Sequence, residues 1–178
     1  MDETRIEPLA AKHDRGTFDC SKSPLNSFIR QHASVNHERG VSRVYVAVRG
    51  SHQQVLAYYA SSAGTFLRDH LPPDDQAGLP RYPLPTAHLG RLAVDLSCRG
   101  QRLGELLLFH FLKTACDVAE RIGVFAVDLF SKDDDAKRFY LKYGFIPLQD
   151  DTFHLYLPIA TVRAMFVLAA ASPPDAPR

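Results

Sequence analysis

The sequence has few of the features that mark specialised classes of protein. Its 178 residues include only three cysteines, Cys20, Cys98 and Cys116, at wide spacing. These form neither a disulfide framework nor a CxxC metal pair, so we expect three reduced thiols. The longest apolar runs, such as residues 124–127 and 164–171, are far shorter than the ~20 residues that span a bilayer. The sequence therefore predicts no membrane segment.

A large excess of one charge is also absent. The formal net charge is +1 at pH 7, which excludes a chain that coats RNA over its whole surface. Apolar residues make up 46% and charged residues 23%, as in ordinary globular domains. The first residues lack a basic stretch followed by an apolar one, so no signal peptide is predicted and we expect a cytoplasmic protein. The histidines show no metal-ligand spacing, so no metal is expected.

Positive charge does concentrate near the start of the chain. From Lys12 to Arg49 there are seven Lys or Arg residues against three Asp or Glu. Part of this stretch, residues ~24–38, has apolar side chains at helical spacing after Ser23 as N-cap and Pro24. A solvated helix face explains the excess as well as a phosphate-binding surface does, so both interpretations stay open.

The order of predicted elements is β-α-β-β-β-α-β-α-β-β with a short terminal helix, which indicates a mixed α/β fold. The predicted strands cover residues 5–9, 44–48, 55–62, 88–96, 124–130, 145–148 and 153–158. A Pro-rich loop over residues 67–85 separates the third and fourth strands, and long ordered loops often serve binding. We predict one domain over residues 1–170 and a frayed Pro-rich tail over 171–178.

The turn that joins the fourth strand to the long helix is the first candidate site. It runs from Ser97 to Glu105 and contains Gly100, Gly104 and two arginines, Arg99 and Arg102. Small residues let backbone N–H groups approach a ligand, and the helix N-terminus adds partial positive charge, which suits a pyrophosphate. The alternative is a tight turn with two solvent-facing arginines. The turn matches neither the P-loop nor the GxGxxG pattern.

The second candidate is the aromatic segment Phe139-Tyr140-Leu141-Lys142-Tyr143-Gly144-Phe145. A helix here can aim one tyrosine hydroxyl at a ligand. Aromatic residues at helical spacing are also common in protein cores, so the residues alone do not decide between the two interpretations.

Three segments of the sequence together resemble the GNAT superfamily of acetyl-CoA-dependent N-acetyltransferases. They are Leu89-Gly90-Arg91-Leu92-Ala93-Val94-Asp95, Arg99–Leu108 and Ala136–Phe145. Two further segments, Phe18-Asp19-Cys20 with Leu25-Asn26-Ser27-Phe28-Ile29 and Tyr82-Pro83-Leu84-Pro85, resemble GNAT toxins of bacterial type II toxin–antitoxin modules. That branch acetylates the amino group of charged tRNAs and stops translation. The resemblance covers about residues 5–165.

The resemblance implies a GNAT fold, in which helices flank a central, mostly antiparallel twisted sheet with a splayed parallel strand pair. It implies acetyl-CoA as co-substrate, with the backbone of Leu92, Ala93 and Val94 on the pantetheine arm. The turn would hold the pyrophosphate through the residues Arg99, Gly100, Gln101, Arg102, Leu103, Gly104 and Glu105. Tyr140 corresponds to the general acid that protonates the departing thiolate. Arg102 departs from the family's usual glycine, and we expect it to serve the loop if its φ is negative.

The acceptor is the least determined part of the prediction. No acidic residue is an obvious base, and an α-amino group with a pKa near ~8 needs less help than lysine does. This favours an aminoacyl-tRNA, with Arg30, Arg39 and Arg43 on its phosphates and Phe66 or Tyr82 stacking on its acceptor end. A small DNA-binding antitoxin and a homodimer are further possible partners. The alternatives are an N-acetyltransferase of a small amine or peptide amine, and an inactive GNAT-like binding module.

Overall fold

The computed structural model describes residues 3–171 of the chain and contains seven strands in one mixed sheet. The strand order in the sheet is β1-β2-β3-β4-β5-β7-β6. The strands are β1 Thr4–Pro8, β2 Arg43–Arg49, β3 Ala57–Phe66, β4 Leu84–Val94, β5 Ala126–Phe130, β6 Ile146–Pro147 and β7 His154–Pro158. The helices are α1 Ser23–Ser27, α2 Ala33–Glu38, α3 Leu103–Ala119, α4 Asp134–Lys142 and α5 Ile159–Ala171. This confirms the predicted mixed α/β order.

The described residues fall into two compact units, 3–63 with 88–111 and 64–87 with 112–171. In the first unit, β1 pairs antiparallel with β2, which pairs antiparallel with β3. One face of β2 is valine at every second position, and these valines lie in a core with Phe18, Phe28 and Tyr58. Alternation of period two therefore buries one face of this strand, as the sequence predicts.

The predicted helix over residues ~24–38 forms, but it is not regular. A π-helical turn, Phe28–His32, separates α1 from α2, and the N–H of Ala33 donates to the carbonyl of Phe28. The N-cap is Lys22 rather than Ser23, and no side chain caps this end. A single extra residue in a helical turn leaves the apolar spacing almost unchanged, so the sequence pattern does not reveal it.

Apolar residues at helical spacing from Leu103 to Ile122, followed by Gly123, predict a helix that runs to residue 122, but α3 ends earlier. It stops at Ala119, and Ile122, which the sequence places on its apolar face, is 63% exposed. Val118, at the end of the predicted face, is also exposed. The buried stripe consists of Leu107, Leu108, Phe111, Leu112 and Ala115. The chain turns after Val118, since the N–H groups of Arg121 and Ile122 both donate to the Val118 carbonyl.

In the second unit, β7 pairs antiparallel with both β5 and β6. The predicted Pro-rich loop contains two short 3₁₀ turns, Arg68–His70 and Pro73–Asp75, before β4 begins at Leu84. The second unit has a hydrophobic core that consists of Phe66, Leu71, Leu84, Ala126, Leu148 and Tyr156. The predicted tail lies, apart from Ala171, outside the described residues, and the predicted single domain stays a prediction.

None of the helices within residues 3–171 combines the length and apolar character needed to cross a bilayer. The three cysteines are free and buried. Over the same residues, no group of three or more His, Cys, Asp or Glu side chains is arranged to hold a metal ion.

Candidate active site

The turn after β4 is shaped by Asp95. Its Oδ1 accepts from the N–H of Ser97 at 2.9 Å and from the Ser97 hydroxyl at 2.6 Å, which starts the 3₁₀ turn Leu96–Cys98. Burial acts to raise the pKa of Asp95, but hydrogen bonds from Asp19 and Ser97 outweigh it and hold the pKa below its ordinary value. The carboxylate is therefore charged when it caps this turn.

Two residues of the turn have left-handed backbone conformations, Gly100 with φ +78° and Arg102 with φ +59°. The condition under which we expect Arg102 to serve the loop, a negative φ, is therefore not met. Arg102 has a backbone conformation that glycine adopts without strain, so the arginine holds it at a cost in backbone energy. A Cβ at Gly100 would meet no atom within 4 Å, so there the backbone angle, not the space, calls for glycine.

Both arginines of the turn, Arg99 and Arg102, bind groups within the described chain. The Arg102 guanidinium binds the Glu105 carboxylate at 2.6 and 2.7 Å. Arg99 donates to the Cys20 carbonyl at 3.2 Å and to the Ser21 hydroxyl at 2.8 Å. Both guanidinium groups therefore have hydrogen-bond partners within the described chain. Arg99 braces the loop that precedes α1.

That loop is held by a network of short hydrogen bonds. The N–H of Asp19 donates to Asp95 Oδ2 at 2.8 Å, and Asn26 Nδ2 donates to Asp19 Oδ1 at 2.8 Å. Asn26 Oδ1 accepts from the N–H of Cys20 at 2.9 Å. The N–H of Ser21 and the Asn26 amide also keep the pKa of Asp19 below its ordinary value. Asp19, Cys20 and Asn26 stand out in the sequence only for their resemblance to GNAT toxins. In the structure they hold the loop together and join it to the turn.

A polar cavity of about 490 Å³ opens beside this loop. Arg30 lines it and also donates to the carbonyl of Phe18. The sequence singled out Arg30 but not the cavity, because most of its walls are serines and amides, whose charge and hydropathy do not mark a binding site. The lining residues are Asp19, Ser21, Ser23, Asn26, Ser27, Arg30 and Gln31.

The strand and helix on either side of the turn supply backbone groups rather than side chains. Ala93 is buried in the core, while Leu92 and Val94 are half-buried. Leu103 is buried at the start of α3, with Gly104 and Glu105 half-buried behind the exposed Gln101. The first N–H groups of a helix point out of its end and carry its partial positive charge, which suits an anion.

In the second unit, Tyr140 lies near the end of α4. Asp133 caps the start of this helix by accepting from the N–H of Ala136 at 2.8 Å, and Gly144, with φ +88°, ends it. The Tyr140 ring packs edge-on against Phe139 and Phe145, and only 8% of the residue is exposed. Burial raises the pKa of the Tyr140 hydroxyl above its ordinary value, so it keeps its proton at neutral pH.

The residues predicted to contact the acceptor differ in their exposure to solvent. Arg39 and Arg43 are exposed on either side of the turn at Gly40, and Tyr82 is 67% exposed in the Pro-rich loop. Phe66 is only 4% exposed, because its ring packs against Phe125 and Tyr156. The structure therefore contradicts the expectation that Phe66 stacks on a base, and Tyr82 is the remaining aromatic candidate.

The sequence and fold identify the class of the protein. Residues 40–147 match the acetyltransferase (GNAT) domain family, and the chain belongs to this family. It is an acetyltransferase, and its co-substrate is acetyl-CoA. The predicted GNAT fold and enzyme class are confirmed, whereas the splayed strand pair and the individual site residues stay predictions.

Two similar proteins bear the names of toxins. The chain is 30% identical over 152 residues to the tRNA-acetylating toxin of Mycobacterium tuberculosis, covering 85% of this chain and 90% of that protein. It is 29% identical over 169 residues to the probable toxin TacT of Sinorhizobium fredii, covering 90% and 93%. The predicted likeness to GNAT toxins is therefore confirmed.

Solved structures of toxins have the same fold. AtaT complexed with acetyl-methionyl-tRNAfMet matches with a TM-score of 0.87 and 30% identity, covering 92% of this chain and 99% of that one. A Tyr-to-Phe mutant of AtaT, bound to the C-terminus of the antitoxin AtaR and acetyl-CoA, matches with a TM-score of 0.79 and 27% identity, covering 93% and 99%.

Proposed function

We propose that the protein is a toxin that transfers the acetyl group of acetyl-CoA to the α-amino group of an aminoacyl-tRNA. An acetylated amino group cannot attack a peptidyl ester, so translation stops. The observation that carries the proposal is that one relative is a tRNA-acetylating toxin and that another protein of the same fold was solved with acetyl-methionyl-tRNAfMet. Such an enzyme works in the cytoplasm, where charged tRNA is found.

Acetyl-CoA binds through backbone groups of the first unit in this proposal. The pyrophosphate lies on the turn and the first helical residues, from Arg99 to Glu105, and the pantetheine arm lies along Leu92, Ala93 and Val94. The left-handed Gly100 and Arg102 shape this turn ahead of the start of α3. Strand N–H groups that face the thioester carbonyl stabilise the oxyanion that forms during attack.

Tyr140 is the general acid in this proposal. The neutral α-amino group attacks the thioester carbon, a C–N bond forms, and the C–S bond breaks. The proton of the Tyr140 hydroxyl goes to the coenzyme A sulfur, the proton lost by the amine goes to solvent, and the Tyr140 phenolate regains a proton from solvent. A phenol with a raised pKa holds its proton over the whole neutral range, as this role requires.

The acceptor tRNA is bound by cations of the first unit. We propose that Arg30, Arg39 and Arg43 contact its phosphates, and that Tyr82 stacks on a base of the single-stranded end. No acidic side chain serves as base, because much of an α-amino group with a pKa near ~8 is already neutral at pH 7 to 8. A relative is bound by its antitoxin, and we propose a small antitoxin as partner here as well.

The test is acetylation of total charged tRNA by the purified protein and isotopically labelled acetyl-CoA. Mass spectrometry of the released aminoacyl-adenosines is expected to show N-acetylated species and to identify the amino acid. Tyr140→Phe protein is the control for acetylation that does not need the enzyme. Transfer of the labelled acetyl group to a polyamine or a peptide amine, with none on the tRNA, would contradict the proposed acceptor.

A further inference from the structure

Arg91, on β4, is a cation that is fixed in place by an aromatic ring. Its guanidinium carbon lies 4.0 Å from the centroid of the Phe28 ring. The side chain is exposed, and within residues 3–171 it makes no ion pair or hydrogen bond. Stacking on a ring orients the guanidinium plane and leaves its N–H edges open. The arginine is thus oriented for a ligand that it does not find within the described chain.

The ring below Arg91 is itself held rigidly. Phe28 is only 3% exposed and opens the π-helical turn. Its ring stacks on Tyr58 with centroids 5.9 Å apart and planes inclined by 25°, and the Tyr58 hydroxyl donates to the Leu25 carbonyl at 2.8 Å. Single π-helical turns inside helices are frequent at functional sites. The three stacked side chains form a support whose exposed end is the guanidinium.

The position of Arg91 along β4 points to the acceptor rather than to acetyl-CoA. Side chains two residues apart on a strand share a face, so Arg91 and Ala93 lie on one face about 7 Å apart. Ala93 lies in the same core as Phe28 and Tyr58, which agrees with this placement. The proposed pyrophosphate site follows the carboxyl end of β4. Arg91 directly precedes the residues proposed to face the thioester, so along β4 it lies on the side of them away from the proposed pyrophosphate site.

We propose that Arg91 binds a backbone phosphate at the 3′ end of the acceptor tRNA, with Phe28 as its platform. This inference rests on the proposed function and adds a residue that positions the reacting amino group. The amino acid is esterified through its carboxyl group, so the anion nearest to the amine is the phosphodiester before the terminal nucleotide. A planar guanidinium binds two phosphate oxygens at once, which fixes the terminal nucleotide as well as attracting it.

The experiment compares two acceptors, charged tRNA and a 3′-aminoacyl-adenosine that carries no phosphate. Arg91→Gln is expected to raise KM for charged tRNA about tenfold or more, with little change in kcat and in KM for acetyl-CoA. Its kcat/KM for the aminoacyl-adenosine stays at the wild-type value. The slope of log affinity for charged tRNA against log salt becomes shallower by about 1.

Two further variants test separately the planar guanidinium of Arg91 and its contact with the Phe28 ring. Arg91→Lys keeps the charge but loses the planar fork, so it recovers only part of the affinity for charged tRNA. Phe28→Leu keeps an apolar side chain but removes the platform, and it shifts KM for tRNA in the same direction. Because Phe28 is buried, the thermal unfolding of the Phe28→Leu variant is measured first, to show that the variant is folded. Arg121→Gln, which removes an exposed arginine of the second unit, is the matched control for charge.

Several results would overturn the inference. An equal loss on both acceptors would mean that Arg91 acts through the fold and not through a phosphate. A raised KM for acetyl-CoA alone would assign the side chain to a coenzyme phosphate. Failure of the wild-type protein to acetylate charged tRNA would instead remove the proposed function, and it is seen before any variant is compared.

Discussion

Tyr140 combines a tightly packed ring with a hydroxyl that receives no hydrogen bond from the part of the chain that the structure describes. Tyr140→Phe keeps the ring contacts and removes only the proton donor. The variant is therefore expected to unfold at the same urea concentration as the wild type and to lose about 10²–10⁴-fold in the chemical step. Rapid-quench measurement with enzyme in excess over charged tRNA isolates that step.

Tyr45→Phe provides a matched control, because the Tyr45 ring also packs against neighbouring rings, stacked on Tyr59 and tilted against His110. It removes a phenol hydroxyl outside the proposed site and is expected to leave the chemical step unchanged. A wild-type single-turnover rate in Tyr140→Phe would make Tyr140 a packing residue only.

Arg102 shows how a residue can take the place of a glycine at a cost. A non-glycine residue at φ +59° is strained by about 1 kcal/mol, and an exposed ion pair with Glu105 offsets little of this. Arg102→Gly and Arg102→Ala both lose the ion pair, but only glycine relieves the backbone. We expect the glycine variant to exceed the alanine variant by about 1 kcal/mol in free energy of unfolding by urea titration. Equal stabilities would show that the turn is not strained at this position.

At the scale of the elements, the segment from β1 to His13 is secured by one carboxylate. Glu7 Oε1 lies 2.8 Å from both Lys12 Nζ and His13 Nε2, and the Nδ1 atom of the same His13 ring accepts from the N–H of Ala10. Hydrogen bonds from Lys12 and then His13 lower the pKa of Glu7 from 4.5 to about 2. A carboxyl whose pKa falls on folding stabilises the protein above its ordinary pKa, and this contribution is lost as the pH falls from about 4.5 to about 2.

Glu7→Gln should therefore be less stable than the wild type at pH 7, and the difference should shrink as the pH approaches 2. Urea titrations at a series of pH values measure it. Lys113→Gln, which removes one partner of an exposed pair with Asp117 on α3, is expected to show only a small difference. A difference between wild type and Glu7→Gln that stays constant from pH 7 to pH 2 would contradict the role of the charge.

The elements differ in how far their sequences determine them. The strands and the helix ending at Gly144 follow from alternation, spacing and a glycine with φ +88°, all of which are local. The burial of Phe66 depends on packing against Phe125 and Tyr156, which a local pattern does not contain. The apolar spacing continues through the π-helical turn and past the end of α3, so this pattern reveals neither. The same holds for the site: the turn and Tyr140 follow from motifs, whereas the Arg99 brace and the Arg91 stack join segments far apart in sequence.

For the whole molecule, a net charge of +1 means that tRNA affinity depends on where the cations lie. If Arg30, Arg39, Arg43 and Arg91 each neutralise one phosphate, log affinity falls with log salt with a slope of roughly −3 to −4. Fluorescence anisotropy with labelled charged tRNA and Tyr140→Phe protein measures this without turnover. A slope near zero would contradict phosphate binding, and a slope twice as steep would indicate that two protomers hold one tRNA.

One carboxylate, that of Asp95, accepts from Asp19 on one side and from Ser97 on the other. The two segments that it joins are separated by 76 residues in the chain, so no neighbouring substitution restores both bonds when it is lost. In bacteria under selection against such a toxin, a single substitution of Asp95 is therefore expected to inactivate it. If the proposed function holds, loss-of-toxicity alleles are expected at codon 95 as well as at codon 140, although the Asp95 side chain is buried and is proposed for neither coenzyme nor tRNA binding.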